Sequence, residues 1–327
     1  KQVNEHDYSF FDSKIIKKEE TDGLTFINAV RELEKERGDQ NELILPESTL
    51  MSVDSLVKQM NEYSPNTLCS EINTAYMAEF KRFLLQDDRK LKPTTAQLYF
   101  RSLKTTIKKM SDCGLYDFQS NISSYKSITV EKSEIEDREY LEGDDLRDMI
   151  AYDHSNIIGL NDGMRQGFLF ACYTGLRASD VKRLKWANLK VRNGKRFLHT
   201  VTKKTGKTIR FELPEVILDL LPEQGERNEL VFKGYDYSRR HNDIWTQWAF
   251  NSGVESQYPD REKIRITSHV ARHTCAGLLL SAGQGLDMVA KVLGITLQSA
   301  EVYGDIWPDA VTQSLELALK QIKVPTV

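Results

Sequence analysis

Cysteine is scarce in this chain, which has only four in 327 residues and no CxxC pair. A disulfide framework or a zinc ribbon needs several closely spaced cysteines. The scarcity therefore excludes a disulfide-stapled secreted scaffold and a cysteine-ligated zinc site, and it is typical of a protein from a reducing cytoplasm. The four residues are Cys69, Cys113, Cys172 and Cys275.

Long apolar runs are also missing. No stretch approaches the roughly 18 apolar residues that a membrane-spanning helix requires. The opening segment, KQVNEHDYSF, is too polar for a signal peptide. With 40% hydrophobic and 28% charged residues, the composition is that of a globular chain. We expect a cytoplasmic protein with no membrane partner.

The chain also lacks a large net charge, which is only −3, so its total charge does not indicate a nucleic-acid partner. One segment differs. Between Arg177 and Arg210 the sequence places twelve lysines and arginines, and Asp180 is the only acid. A solvated basic face is one interpretation of such a run. The near-exclusion of acids favours the other, a surface that faces a polyanion.

The length fits two domains rather than one. A segment rich in Ser, Lys and Glu with weak periodicity, SNISSYKSITVEKSEIEDREY, separates two periodic regions and predicts a linker that ends near Ile135. The predicted parts are a lead-in or arm at 1–20, a helical domain at 21–119, the linker at 120–135 and a second domain at 136–327.

Helical spacing of apolar residues predicts four helices in the first domain, at 25–38, 48–63, 72–86 and 93–114. Gly38 and Gly114 are placed as helix stops, and Pro93 near a helix start. The fourth helix has two faces. Its expected core residues are Leu98, Leu103, Ile107 and Met110, and its basic stripe consists of Arg101, Lys104, Thr105 and Lys108.

The second domain is predicted to be mostly helical with one β-hairpin. The hairpin strands are 196–202 and 208–214, and the turn KKTGK (203–207) lies at the tip. The fold class is therefore mainly α with a small β-hairpin or sheet, a helical domain followed by an α+β domain. The expected helices are 142–152, 165–175, 238–251, 269–282, 286–293, 298–303 and 310–322.

The stretch SHVARHT places His269, Arg272 and His273 on one face of a helix. Three interpretations compete: a metal site, ordinary surface or packing residues, and an anion site. The metal interpretation needs HExxH, but Val270 follows the first histidine and no third ligand lies at helical spacing. We therefore predict no metal and favour an anion, with Arg272 on an oxygen and His269 assisting proton transfer.

Three further motifs are each weak evidence for a function when taken alone. TGLRASD puts Arg177 at a turn with Asp180 three residues later, which fits phosphate binding or a surface ion pair. The KKTGK lysines fit a proton donor or simple turn chemistry. Tyr303, in VLGITLQSAEVYGDI, fits either packing or a nucleophile.

In this order, TGLRASD, KKTGK, HVARHT and LG…Y resemble the catalytic domain of the tyrosine recombinases, the phage integrase family. The first domain is similar to the core-binding domain of that family, and the chain looks most similar to integrases of Bacteroidetes mobile elements. The resemblance covers about 21–327. It implies a recombinase that clamps duplex DNA and acts as a homotetramer in the bacterial nucleoid. It also implies that the enzyme needs no cofactor and no metal and is aided by accessory DNA-bending proteins.

The resemblance also implies a role for each motif residue. Arg177 and Arg272 clamp the scissile phosphate, and Tyr303 attacks it. Lys204 protonates the leaving 5′ oxygen, and His269 assists proton transfer. Asp180 supports the first arginine, and His273 has a supporting position. The candidate DNA contacts are Arg101, Lys104, Lys108, Lys203 and Lys207.

One position departs from the family pattern. A His or Trp usually follows the Gly of the LG turn, nine residues before the tyrosine, but here Ile295 does so, eight residues before Tyr303. Isoleucine cannot donate a hydrogen bond to phosphate, so Gln298 or Trp307 substitutes or cleavage is slower. This departure keeps two alternatives open, a non-catalytic DNA-binding relative and a type IB-like topoisomerase.

The amphipathic tail after Tyr303 is expected to dock on a neighbouring protomer or on its own domain.

Overall fold

A computed structural model of the chain describes residues 23–40, 47–89, 91–118, 139–257 and 262–306. The chain divides into two compact units, Lys1–Glu136 and Asp137–Val327. The predicted arm at 1–20, the linker at 120–135 and the last helix at 310–322 lie outside the described residues. The boundaries predicted for the domains therefore stay predictions.

The first unit contains four α-helices among its described residues. They are α1 (Phe26–Gln40), α2 (Glu47–Tyr63), α3 (Thr74–Leu84) and α4 (Pro93–Asp112), with short 3₁₀ turns at Cys69–Glu71 and Asp87–Arg89. Asn73 caps α3 by accepting a hydrogen bond from the backbone of Tyr76. The helices enclose one apolar core, to which each contributes residues such as Phe26, Leu56, Phe80 and Phe100.

Two details of the first unit differ from the sequence prediction. Helix α1 continues past Gly38 to Gln40, and Leu98 is 56% exposed instead of facing the core. The buried stripe of α4 consists of Ala96, Phe100, Leu103, Ile107 and Met110. These positions alternate steps of four and three residues, which is one helix face. Leu98 lies five residues before Leu103 and so points well away from that face.

Among the described residues, the second unit contains eight α-helices and a three-stranded sheet. Its described helices are α5 (Gly143–Ala151), α6 (Asp162–Thr174), α7 (Ala178–Lys182), α8 (Glu215–Leu218), α9 (Arg239–Asn251), α10 (Ser268–Ser281), α11 (Leu286–Leu293) and α12 (Leu297–Ile306). Its core centres on α6, where Phe168 packs against Trp245 and Trp248 of α9. Helix α10 packs along α6, so the SHVARHT stretch lies beside the TGLRASD turn.

The sheet has three antiparallel strands in the order β1 (Leu189–Arg192), β2 (Lys195–Val201) and β3 (Thr208–Glu212). The β2–β3 hairpin confirms the prediction, with Thr200 opposite Ile209 and residues 203–207 as the tip. Strand β1 was not predicted. It pairs with β2 across Asn193 and Gly194, both at positive φ, a geometry that suits a tight hairpin turn.

Helix α6 ends at Gly175, which takes a left-handed conformation with φ of 66°. A Cβ at this position would lie 2.2 Å from Leu293 Cδ2 and 3.1 Å from Cys275 Sγ. Glycine is therefore required here for two reasons, the backbone conformation and the close approach of α10 and α11. This packing brings the ends of α6 and α11 together.

Among the described residues, no helix is both long and apolar enough to cross a membrane.

We expect Gly175→Ala to destabilise the second unit by about 2–5 kcal/mol, because strain and overpacking add. Gly194→Ala is the matched control, since its φ is 76° but no atom lies within 4 Å of the added Cβ, so only about 1 kcal/mol should be lost. Urea unfolding followed by tryptophan fluorescence measures this, because all four tryptophans follow residue 137. Equal losses for the two variants would contradict the packing argument.

Candidate active site

Arg272 is the buried centre of the site, with only 5% of its surface exposed. Its Nη1 donates to the carbonyl of Gly175 at 2.6 Å, and its Nη2 donates to the carbonyl of Leu293 at 2.7 Å. These carbonyls lie at the C-terminal ends of α6 and α11, where helices carry partial negative charge. The guanidinium therefore joins two helix ends and is held in one orientation by them.

Arg177 lies beside this centre, at the residue that precedes α7. Its side chain is half-buried, and its Nη1 is buried without a hydrogen-bond acceptor. Burial, and then the nearby charge of Arg177, lower the pKa of Arg272. Arginine still remains protonated at neutral pH. Two adjacent cations with an unused buried donor form a place for an anion, since a buried donor without a partner costs about 1–3 kcal/mol.

Tyr303 reaches the same place from α12. The residue is 5% exposed and packs in a small apolar cluster with Cys275, Leu280 and Leu293. Tyr303 lies close enough to the Arg272 guanidinium to raise the pKa of Arg272, which partly offsets the lowering by burial. The structure thus places the Tyr303 hydroxyl near one of the two guanidinium groups.

The two histidines of SHVARHT have different surroundings. His273 is half-buried, and its ring centroid lies 5.6 Å from that of Tyr303. His269 is exposed in the first turn of α10, after the cap residue Thr267, with its ring 6.5 Å from the His273 ring. His273 therefore packs beside the tyrosine, whereas His269 is accessible to a ligand from solvent.

Asp180 connects the TGLRASD turn to the β-hairpin. Its buried Oδ1 accepts hydrogen bonds from Nε and Nη2 of Arg183 at 3.1 and 2.8 Å, and from the backbone N–H of Lys203 at 2.8 Å. Arg183 also donates to the carbonyl of Val201. The link between Asp180 and Arg177 that the structure shows is a backbone hydrogen bond of 2.7 Å. The carboxylate therefore holds the base of the hairpin.

Arg183 is a residue that the sequence reasoning missed. The spacing of three residues from Asp180 on a short helix is the signal that could have found it. Its role depends on a strand that follows much later in the chain, which a local pattern does not show.

Lys204 lies in the hairpin tip with an exposed side chain and makes no hydrogen bond or ion pair with the residues that the structure describes. Lys207, at the end of the same tip, donates from Nζ to the carbonyl of Ile295 at 2.9 Å. Ile295 is half-buried against the Tyr303 cluster, and Gln298 is exposed. Trp307 lies outside the described residues. The hairpin tip thus contacts the turn that leads into the tyrosine helix.

In the first unit, the predicted basic stripe lies on α4. Arg101 and Lys108 are exposed, and Lys104 is half-buried, which lowers the pKa of Lys104. The Thr105 hydroxyl donates a hydrogen bond to the Arg101 carbonyl at 2.9 Å.

Within 23–40, 47–89, 91–118, 139–257 and 262–306, no three His, Cys, Asp or Glu side chains are grouped as a metal site requires.

The geometry brings together Arg177, Arg272, His273 and Tyr303, with His269 at the edge and the Lys204 loop beside them. Such a set can bind a tetrahedral anion, attack it with a hydroxyl and supply protons to a leaving oxygen. Comparison with known proteins identifies the class. The sequence profile described as the phage integrase family matches residues 139–303, just over half of the chain. The chain belongs to the phage integrase family.

A second profile, the phage integrase SAM-like domain, matches residues 25–117, the helical part of the first unit. No curated protein matches the chain. The family makes the protein a tyrosine-type site-specific recombinase, in agreement with the motif prediction, and the predicted fold class is confirmed. The roles of individual residues stay predictions.

Solved integrases have the same fold. A lambda integrase(75-356) dimer bound to a COC' core site has a TM-score of 0.61 at 17% identity, over 86% of this chain and 96% of that one. A lambda integrase tetramer on a Holliday junction has a TM-score of 0.57 at 17% identity, over 84% and 75%. The Tn1549 transposon integrase with transposon right end DNA has a TM-score of 0.57 at 12% identity, over 92% and 100%.

We expect millimolar sulfate to stabilise the second unit of this integrase, because the anion occupies the site between the two guanidinium groups. At about 100 times its Kd, sulfate should add about 2.7 kcal/mol. Arg177→Met should abolish this gain without lowering stability in chloride, since the substitution removes the repulsion with Arg272. The measurement is thermal unfolding by tryptophan fluorescence at constant ionic strength.

Lys182→Met is the control for that experiment, because it removes a nearby exposed charge that pairs with Asp236 instead. This variant should keep the full response to sulfate. An equal response in the wild type and in Arg177→Met would show that sulfate acts elsewhere.

Proposed function

We propose that this chain cleaves and rejoins duplex DNA at a defined site through a 3′-phosphotyrosyl link to Tyr303, and that the reaction integrates or excises a mobile element. The observation that carries the proposal is the convergence at the Tyr303 hydroxyl. Arg272 lies close enough for Tyr303 to raise its pKa, the His273 ring lies 5.6 Å from the Tyr303 ring, and Arg177 lies beside Arg272 with a buried donor that no acceptor in the described chain uses.

The proposed cleavage exchanges one phosphoester bond for another. The Tyr303 oxygen forms a bond to the phosphorus, and its proton passes to His269 or to water. The bond from phosphorus to the 5′ oxygen breaks, and that oxygen takes a proton from the Lys204 ammonium. Rejoining runs the same steps in reverse with a 5′ hydroxyl from the new strand. The number of phosphoester bonds is unchanged, so the cycle needs no ATP.

The two arginines stabilise the charge on the non-bridging oxygens during both steps. Groups aimed at developing charge contribute a few kcal/mol each. Arg272 is oriented before DNA arrives, because two helix-end carbonyls hold its guanidinium. Little reorganisation is then required when the phosphate binds, and this is the condition under which such stabilisation is largest.

We infer how this chain assembles on DNA from the solved structures of similar integrases. Lambda integrase is described as a dimer on a core site and as a tetramer on a Holliday junction, and the Tn1549 integrase is described with transposon end DNA. We infer that this chain also acts as a homotetramer on DNA, with the predicted helical domain (21–119) as the core-binding domain. Accessory DNA-bending proteins, a nucleoid location and a close relation to Bacteroidetes mobile elements are parts of the same hypothesis.

A second candidate is a DNA-binding relative that does not cleave. Ile295 favours it, because its side chain offers no hydrogen bond to a phosphate at the position where the family usually has His or Trp. Its backbone carbonyl is used by Lys207. The two candidates differ in one observable, a covalent bond between the protein and DNA.

A suicide substrate decides between them. On nicked duplex DNA from the ends of the element, with EDTA present, we expect a covalent protein–DNA band on a denaturing gel. Tyr303→Phe keeps the ring and removes the nucleophile, so the band should disappear. Tyr237→Phe is the matched control, since this exposed tyrosine lies outside the site and should leave the band intact. Specific DNA binding without any band would support the non-cleaving relative.

The basic stripe of α4 gives a separate prediction about binding. If Arg101 and Lys108 each contact one phosphate, alanine at either position should reduce the slope of log K against log salt by about 0.9. Lys58→Ala, an exposed lysine on α2 outside the stripe, should leave the slope unchanged. Fluorescence anisotropy over a salt series measures the slope. Equal effects of all three variants on the slope would show that the stripe does not contact the DNA phosphates.

A further inference from the structure

The hairpin tip that carries Lys204 is closed on itself by Thr202. The backbone N–H of Thr202 donates to the carbonyl of Lys207 at 2.9 Å, and Gly206 donates to the carbonyl of Thr202 at 3.0 Å. The hydroxyls of Thr202 and Thr205 lie 2.6 Å apart. Residues 202–207 therefore move as one piece, and a bond at Lys207 places Lys204 as well.

Lys207 bonds this piece to the turn between α11 and α12. Gly294 and Ile295 close α11 with backbone hydrogen bonds to Lys291 and Ala290, which is the usual ending of a helix at a left-handed glycine. The Ile295 N–H is used in that ending, and its carbonyl accepts from Lys207 Nζ at 2.9 Å. The next residue, Thr296, starts α12 by accepting from the backbone of Ser299.

An apolar contact lies under this hydrogen bond. Ile209 of β3 is buried, and its Cδ1 lies 3.3 Å from the position that a Cβ on Gly294 would occupy. A methyl carbon of Thr202 approaches the same position at 3.7 Å. The base of the hairpin and the α11–α12 turn are thus already in contact, so the Lys207 bond acts on two surfaces with a defined separation.

We propose that Lys207 is a positioning residue, whose ammonium holds the Lys204 loop against the turn that starts the Tyr303 helix. The proposal rests on the proposed function, since it assigns Lys204 as the donor to the leaving 5′ oxygen. Its role differs from that of a DNA contact. The bond to Ile295 aligns the proton donor with the nucleophile, and the phosphate charge is neutralised by other residues.

The experiment compares three variants. Lys207→Met removes the ammonium and keeps much of the side-chain length. Lys207→Arg retains a donor that can reach the same carbonyl. Lys203→Met removes one charge from the same loop, but its side chain makes no hydrogen bond or ion pair with the described residues, and its backbone bond to Asp180 is retained. Each protein is assayed for covalent-complex formation in a single turnover, as a function of DNA concentration.

We expect Lys207→Met to lower the rate at saturating DNA by roughly ten- to a hundredfold, because a small misplacement of a catalytic group has an effect of this size. Lys207→Arg should recover most of the rate. Lys203→Met should mainly raise the DNA concentration needed for half-saturation, because charge loss at a candidate DNA contact mainly weakens phosphate binding. Equal behaviour of Lys207→Met and Lys203→Met would overturn the proposal.

A modified substrate identifies the group that is misplaced. With sulfur in place of the bridging 5′ oxygen, the leaving thiolate needs no proton, so the position of Lys204 no longer matters. The defect of Lys207→Met should then largely disappear. A defect of the same size on the sulfur substrate would show that Lys207 does not act through Lys204, and it would overturn the proposal.

Hydrogen exchange tests the contact without catalysis. In Lys207→Met, but not in Lys203→Met, we expect faster exchange in peptides covering 202–207 and 295–300, where the backbone bonds described above are formed. Unchanged exchange would overturn the contact even if the enzyme is active. Failure of the wild type to form any Tyr303-dependent bond would instead refute the proposed function, and exchange would still decide whether Lys207 holds the loop.

Discussion

The bridge from Arg272 to the carbonyls of Gly175 and Leu293 is the interaction on which the site depends. A buried cation is costly unless hydrogen bonds satisfy it, and here two helix ends supply the acceptors. The same bridge holds the end of α6 against the end of α11, and Arg177 and the Tyr303 helix follow these two ends in the chain. The Arg272 side chain therefore both stabilises the packing of two helix ends and has its guanidinium fixed in one orientation by them.

The hairpin is held in a different way. Its base is fixed by the Asp180 carboxylate through Arg183 and the Lys203 backbone, whereas its tip is held by the exposed bond of Lys207. A buried network of charged hydrogen bonds is stronger than a single bond at the surface. The base therefore keeps the loop near the site, and the tip contact is the weaker of the two and opens more easily.

Sequence patterns predicted the structure correctly where it is determined by residues close together in the chain. The ends of α4 and α11, the left-handed stop at Gly175 and the β2–β3 hairpin follow from proline, glycine and periodicity. The order of four motifs was sufficient for the family. Strand β1 was missed because it has only four residues, although these alternate apolar and polar and the Asn193–Gly194 pair is a hairpin signal. Arg183 and the contact of Lys207 with Ile295 were missed because each joins segments distant in the chain.

The order of the site residues along the chain has a consequence for biosynthesis. The ribosome synthesises the chain from its N-terminus onward. The two basic anchors of the site, Arg177 and Arg272, are both synthesised before Tyr303, and α12 can join its apolar cluster only after α10 and α11 are complete. A nascent chain that has emerged only as far as α11 therefore carries both arginines but lacks the Tyr303 hydroxyl. Under the proposed function, such an unfinished copy has the two cations without the group that attacks the phosphorus.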